Sequence, residues 1–146
     1  MVFCIVTHVE HIAYEGSYYA YAPYINEMNI WGANVNEIVL LAPQKKHAIS
    51  PIHTFYTNPR ISFNQVEEFD LVSVRGILKI FFAIPFNCWV IFWAMRNADH
   101  IHLRCPGNIG LLGCFIQVLF PKKPKTAKYA GNWDPNVKQP WSYRLQ

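Results

Sequence analysis

Hydrophobic positions along the chain follow two spacings. Residues 2–8, VFCIVTH, form a short, continuous apolar run rich in β-branched residues, the pattern of a strand buried on both faces. The next stretch, from Val9 to Tyr24, carries Gly16 and the tyrosines Tyr14, Tyr18, Tyr19 and Tyr21 ahead of Pro23. It reads as a loop leaving the carboxyl end of the first strand. Within 24–31, YINEMNIW, the residues Ile25, Met28 and Trp31 or Ile30 have helical spacing, with Gly32 as a suitable stop. EIVLLAP at 37–43 returns to a strand. The middle is interrupted by Pro51 and Pro59, so short strands fit there, over His53–Tyr56 and Arg60–Phe63. No internal repeat or low-complexity segment is visible.

Residues 76–95, GILKIFFAIPFNCWVIFWAM, are apolar over a length that could cross a bilayer as a helix. Pro85 and Asn87 near the centre divide the run into halves too short to span, and Arg75 and Arg96 flank it evenly, so the flanks give no orientation. Between two strands, the run makes better sense as a crossover helix, broken at Pro85, with aromatic side chains such as Phe82, Trp89 and Trp93 partly facing lipid.

Residues 97–134 are the organising stretch. A strand over about Asp99–Arg104 alternates Ile101 and Leu103 with His100, His102 and Arg104. Pro106 and Gly107 break it; Gly107 or Asn108 can cap a helix over about Ile109–Leu119, which Pro121 stops. Thr126–Tyr129 resumes extended structure, and Gly131, Asn132, Trp133 and Asp134 make a loop before Pro135. This is a parallel strand pair joined by a helix, a crossover that is nearly always right-handed. Ligands of such sheets gather at the carboxyl ends of the strands. The turn at 104–108 and the loop at 131–134 are both expected at that rim.

A length of 146 residues suits one domain with a substantial core. The apolar share of 52% is high beside 15% charged residues, which implies surface covered by something else. The net charge of +4 is mild, and its late cluster, Lys122, Lys123, Lys125 and Lys128, fits either a solvated loop or contact with anionic lipid or phosphate. Nothing points to nucleic acid. The four cysteines form no C-x-x-C and sit in apolar surroundings, so free buried thiols are expected. The opening residues have no basic segment or cleavage site and read as a strand.

Phosphate-loop, dinucleotide, nucleophile-elbow and zinc-protease motifs are all missing from the sequence. The pairs His8/His11 and His100/His102 lack a third ligand at useful spacing, so no metal is expected, and no cofactor. The turn RCPGNIG, 104–110, offers helix-start amides, close approach at Gly107 and Gly110, and the Arg104 fork. An anion cradle and a plain packing turn both fit it. The loop KYAGNWDP, 128–135, mixes cation, amide, indole and carboxylate, a set suited to sugars and equally to an ordinary turn. YEGSYYAYAPY fits a carbohydrate cleft or a surface packed on a partner.

Taken together, MVFCIVTHVEH, EGSYYAYAPYINEMNIW, EIVLLAP, ADHIHLRCPGNIGLLG and KTAKYAGNWD resemble the amino-terminal half of a bacterial family-four-like glycosyltransferase, a retaining enzyme with two Rossmann-like domains (the GT-B fold). The resemblance implies an α/β, doubly wound, mostly parallel sheet with flanking helices, and one domain over 1–146. It implies transfer of a hexose-type unit from a nucleotide-sugar donor to a glycan or lipid-linked acceptor in polysaccharide biosynthesis, the acceptor being bound by this half. The cleft it implies contains Gly16, Ser17, Tyr18, Arg104, Gly107, Asn108, Gly131, Asn132 and Asp134. Where many members carry a histidine, Ala130, Gly131 and Asn132 stand here, and no catalytic residue is assigned. Members run to on the order of 300–400 residues by domain-size arithmetic. The donor domain with its E-x(7)-E pair is therefore expected elsewhere, and this piece alone is expected to be inactive. The implied location is cytoplasmic, with peripheral contact at the inner face of the plasma membrane left open. Two other readings stand beside it: a small membrane-anchored protein without catalysis, held by 76–95, and a scaffold module whose aromatic surface meets a protein partner.

Overall fold

The computed structural model describes residues 1–69 and 74–130, by backbone alone over 74–80. The elements are β1 (Val2–Val6), β2 (Ile12–Tyr14), β3 (Ser17–Tyr21), α1 (Ala22–Gly32), β4 (Glu37–Ala42), β5 (His53–Phe55), β6 (Ile61–Gln65), α2 (Val74–Asn97), β7 (His100–Cys105), α3 (Asn108–Ile116), a short 3-10 turn (Gln117–Leu119) and β8 (Lys125–Tyr129).

Five strands form one parallel sheet in the order β6-β4-β1-β7-β8. The apolar run of β1 takes the centre, with Val6 opposite Leu41 of β4 on one side and Leu103 of β7 on the other. The chain first builds outward through β4 to β6. It then returns through α2 and builds the other way through β7 to β8. The direction of growth thus reverses at β1 and β7.

A sheet buried on both faces needs helices on both, and β1 shows how they divide. Phe3 and Ile5 pack with Tyr24, Ile25 and Met28 of α1. Cys4 and Val6 pack with Ile91 and Met95 of α2 and with Ile109 and Ile116 of α3. The fold is α/β, a five-stranded parallel sheet flanked by helices. The four cysteines are free thiols.

Two expectations are corrected. The stretch after β1 is no simple loop: β2 and β3 pair as an antiparallel hairpin, extended by β5 into a second, three-stranded sheet. Its two-residue turn, Glu15 and Gly16, has φ of 47° and 74°, the double positive φ that matches the twist of a tight hairpin. Nor is α2 broken at Pro85; it runs through it from Val74 to Asn97. An interior proline costs a helix about 3 kcal/mol. Fixed packing beyond it offsets that cost, since Ile91 and Met95 are fully buried. Asn87 also accepts from the Glu67 amide at 2.9 Å and donates to the Glu67 carbonyl at 2.8 Å. Among the described residues no helix is long and apolar enough to cross a membrane.

Candidate functional site at the strand carboxyl ends

The reversal of strand order brings the residue after β1 against the turn after β7. A Cβ added to Gly107 would lie 2.9 Å from both Cγ and Nδ1 of His8. The His8 ring therefore rests directly on the turn that starts α3, and Gly107, at φ +157°, caps that helix. His8 Nδ1 is buried and has no hydrogen-bond partner among the described residues. Burial, then the charge of Arg104, lowers the His8 pKa below its ordinary value, against weaker upward pulls from the Arg104 backbone and Glu68. His8 is consequently neutral at pH 7. Asn108, the first residue of α3, donates to the Phe69 carbonyl at 2.8 Å and so ties the helix start to the segment after β6.

Beneath His8 lies a buried polar chain. Thr7 accepts from the Val9 amide at 3.1 Å and bonds Tyr24. The Tyr24 and Tyr56 hydroxyls are 3.0 Å apart, and Tyr56 is 3.0 Å from His11 Nε2. His11 Nδ1 is 2.7 Å from the Val9 carbonyl. A carbonyl only accepts, so Nδ1 carries the proton. Burial lowers the His11 pKa to about 4, so the ring is neutral and Nε2 accepts from Tyr56. The Tyr56 oxygen then accepts from Tyr24. Every member has a partner, and the chain fixes the segment between β1 and β2 from below. Above it, Lys45 pairs with Glu68 and, at 3.7 Å, with Glu10.

Arg104 faces the other way. On β7, His100, His102 and Arg104 share the side that α1 covers. The Arg104 guanidinium stands 4.8 Å from the centre of the Tyr24 ring and 3.3 Å from Glu27. Lys128 completes the cluster, 2.6 Å from the other Glu27 oxygen. Burial alone would raise the Glu27 pKa, but hydrogen bonds from Lys128 and Arg104 and their charges carry it below the ordinary range. One nitrogen of the Arg104 guanidinium is thus engaged by Glu27. His100 and His102 both reach the Thr126 hydroxyl, at 3.2 and 2.8 Å. Among the described residues no three His, Cys, Asp or Glu side chains are grouped to hold a metal.

Gly16, Ser17 and Tyr18 line an open groove of about 370 Å³. Phe55, Tyr56 and Asn58 form much of the opposite side, and Tyr18 stacks on Phe63 with ring centres 4.6 Å apart. Arg104, Gly107 and Asn108 contribute nothing to that groove. Gly107 and Asn108 do stand at the rim, where Ala130 donates to the Cys105 carbonyl at 2.6 Å. The ends of β7 and β8 are therefore side by side. The expected contributions of Gly131, Asn132 and Asp134 lie outside the described residues. Sequence reasoning missed His8 as a site residue, along with Thr7, Tyr24 and Tyr56. For His8 a signal existed: it follows directly on the first strand of a parallel sheet.

Comparison with protein-family models, with curated proteins and with solved structures gives no match for this chain.

Proposed function

We propose that this chain is the acceptor-side lobe of a sugar transferase. In this reading it is a doubly wound, Rossmann-like half of a GT-B architecture. It holds a glycan or lipid-linked acceptor while a companion lobe holds the nucleotide-sugar donor. The observation that carries the reading is the seating of His8 on Gly107 where the strand order reverses. Crevices at such reversals are where open parallel sheets take ligands. The first amides of α3, beside the neutral His8 ring, suit a hydroxyl-bearing ligand. The hairpin groove, with Tyr18 and Phe55 beside Ser17 and Asn58, has the mix of aromatic faces and short polar groups that saccharides stack on.

Titration of the purified chain with a panel of oligosaccharides and of nucleotide sugars, followed by tryptophan fluorescence, tests the reading. An oligosaccharide should bind, and His8→Ala, which removes the ring that seats the Gly107 turn, should weaken that binding. Nucleotide sugars alone should leave the signal unchanged. Binding of a nucleotide sugar without binding of any saccharide would overturn the assignment of this lobe to the acceptor.

A further inference from the structure

Among the described residues, the outer side of the helical layer formed by α2 and α3 is apolar and unpartnered. Along α2, Phe82, Phe86, Trp89 and Trp93 recur at steps of four, three and four residues, which sets them on one stripe. Phe82 is 82% exposed and Trp89 64%. Beside the stripe, Phe115 on α3 and Val118 and Leu119 just after it are each more than 60% exposed. The two helices cover the same side of the sheet, and Phe92 meets Phe120 with ring centres 5.4 Å apart. Their outward sides therefore make one continuous layer. Contiguous exposed apolar surface of this kind marks an interaction site.

Charge decides the occupant. From Val74 to Ala130 the sequence has eight Lys or Arg and a single acid, Asp99. Arg104 and Lys128 are held by Glu27 on the α1 side and are not part of this face, and Glu37 is an acid that shares a groove with Trp89 and Trp93. Asp99 itself accepts from the Val2 amide at the amino end of β1. Arg96 lies over the Trp93 ring at 5.5 Å, and Lys123 over the Phe120 ring at 5.6 Å, so cations rim the aromatic face. A second copy of the chain docked here would set this basic rim against itself. A planar, anionic surface with an apolar interior complements both features. Tryptophan and phenylalanine are also the side chains that settle at the boundary of headgroups and acyl chains.

We infer that the α2–α3 face docks flat on an anionic phospholipid bilayer, with Phe82, Trp89 and Trp93 entering the acyl boundary and Arg96 meeting headgroup phosphates. The inference is independent of the acceptor-lobe reading, since it uses none of the rim residues.

Flotation with vesicles of phosphatidylcholine containing phosphatidylglycerol, and of phosphatidylcholine alone, tests it. The chain should float with the anionic vesicles, its tryptophan emission shifting to the blue. Phe82→Ser and Trp89→Ser should each lower the partition coefficient by tenfold or more, given the area each side chain buries. Arg96→Ala should lower it roughly fivefold, the contribution of one cation near such a surface. Ile30→Ser, an equally exposed apolar site (74%) on α1, should leave it unchanged. Failure to float, equal binding to neutral vesicles, or an equal loss in Ile30→Ser would overturn the proposal. So would Trp89-dependent dimerisation in sedimentation without vesicle binding. Saccharide titration is unaffected by any of these outcomes, so the two proposals fail separately.

Discussion

Replacing Gly107 by alanine puts one methyl group where the rim has no space for it. The backbone there has φ +157°, a conformation that L-residues rarely adopt. The new carbon would stand 2.9 Å from His8 Cγ and Nδ1 and 3.1 Å from His8 Cβ. Those atoms are the root of the side chain and not its tip, so rotating the ring does not clear the contact. Backbone strain of this type costs on the order of 1–3 kcal/mol, and over-packing adds roughly 1–3 kcal/mol. Gly107→Ala should therefore lower the free energy of unfolding by about 3 kcal/mol, a large part of a typical domain's stability. His8→Ala removes Cγ and the ring but leaves the backbone strain. In that background Gly107→Ala should cost less, with a coupling of about 1–2 kcal/mol across the double-mutant cycle. Urea unfolding of the four proteins, followed by tryptophan fluorescence, measures both numbers. A single-mutant cost below about 0.5 kcal/mol, or no coupling, would refute the seating of His8 on the turn.

Three further outcomes are expected. Burial holds His11 and His102 neutral, with pKa values lowered to about 4 from 6.5. Between those values the unfolded chain binds more protons than the folded one, so stability falls on acidification from pH 6.5 to 4 and is level above it. The slope is at most about 2.7 kcal/mol per pH unit for the two groups. A urea midpoint that does not move between pH 7 and 5 would remove this account. Asn87→Ala should destabilise by roughly 2–4 kcal/mol, because the amide and carbonyl of Glu67 both lose their partner; denaturant titration decides, and a loss under about 0.5 kcal/mol would mean water replaces the side chain. Arg104→Ala should act on stability, by about 1–3 kcal/mol after allowance for partial exposure, and change saccharide affinity less than twofold. A large affinity loss at unchanged stability would return Arg104 to the ligand.

The parallel sheet was legible because its strands are short apolar runs cut by Gly and Pro, and because a helix lies between β7 and β8. The hairpin was not, for a local reason. Its turn is Glu-Gly rather than the usual Asn-Gly or Asp-Gly, and the alternation in Ser17–Tyr21 buries only Ala20 fully. The break expected at Pro85 failed because tertiary packing outweighed a local preference, through Asn87 and Glu67, twenty residues apart. Arg104 is the most instructive case. Its position in a turn beside glycines suggested an anion fork. Yet the period of the strand already set it with His100 and His102, opposite Leu103 and Cys105. The structure puts α1 on the first side and α3 on the second. What the pattern could not reveal was Glu27, its ion-pair partner 77 residues away in sequence. With one guanidinium nitrogen engaged there, the first amides of α3 remain at the rim beside the His8 ring. The ion pair with Glu27 and the stacking on Tyr24 give Arg104 a part in holding α1 to the sheet, which the turn motif alone does not show.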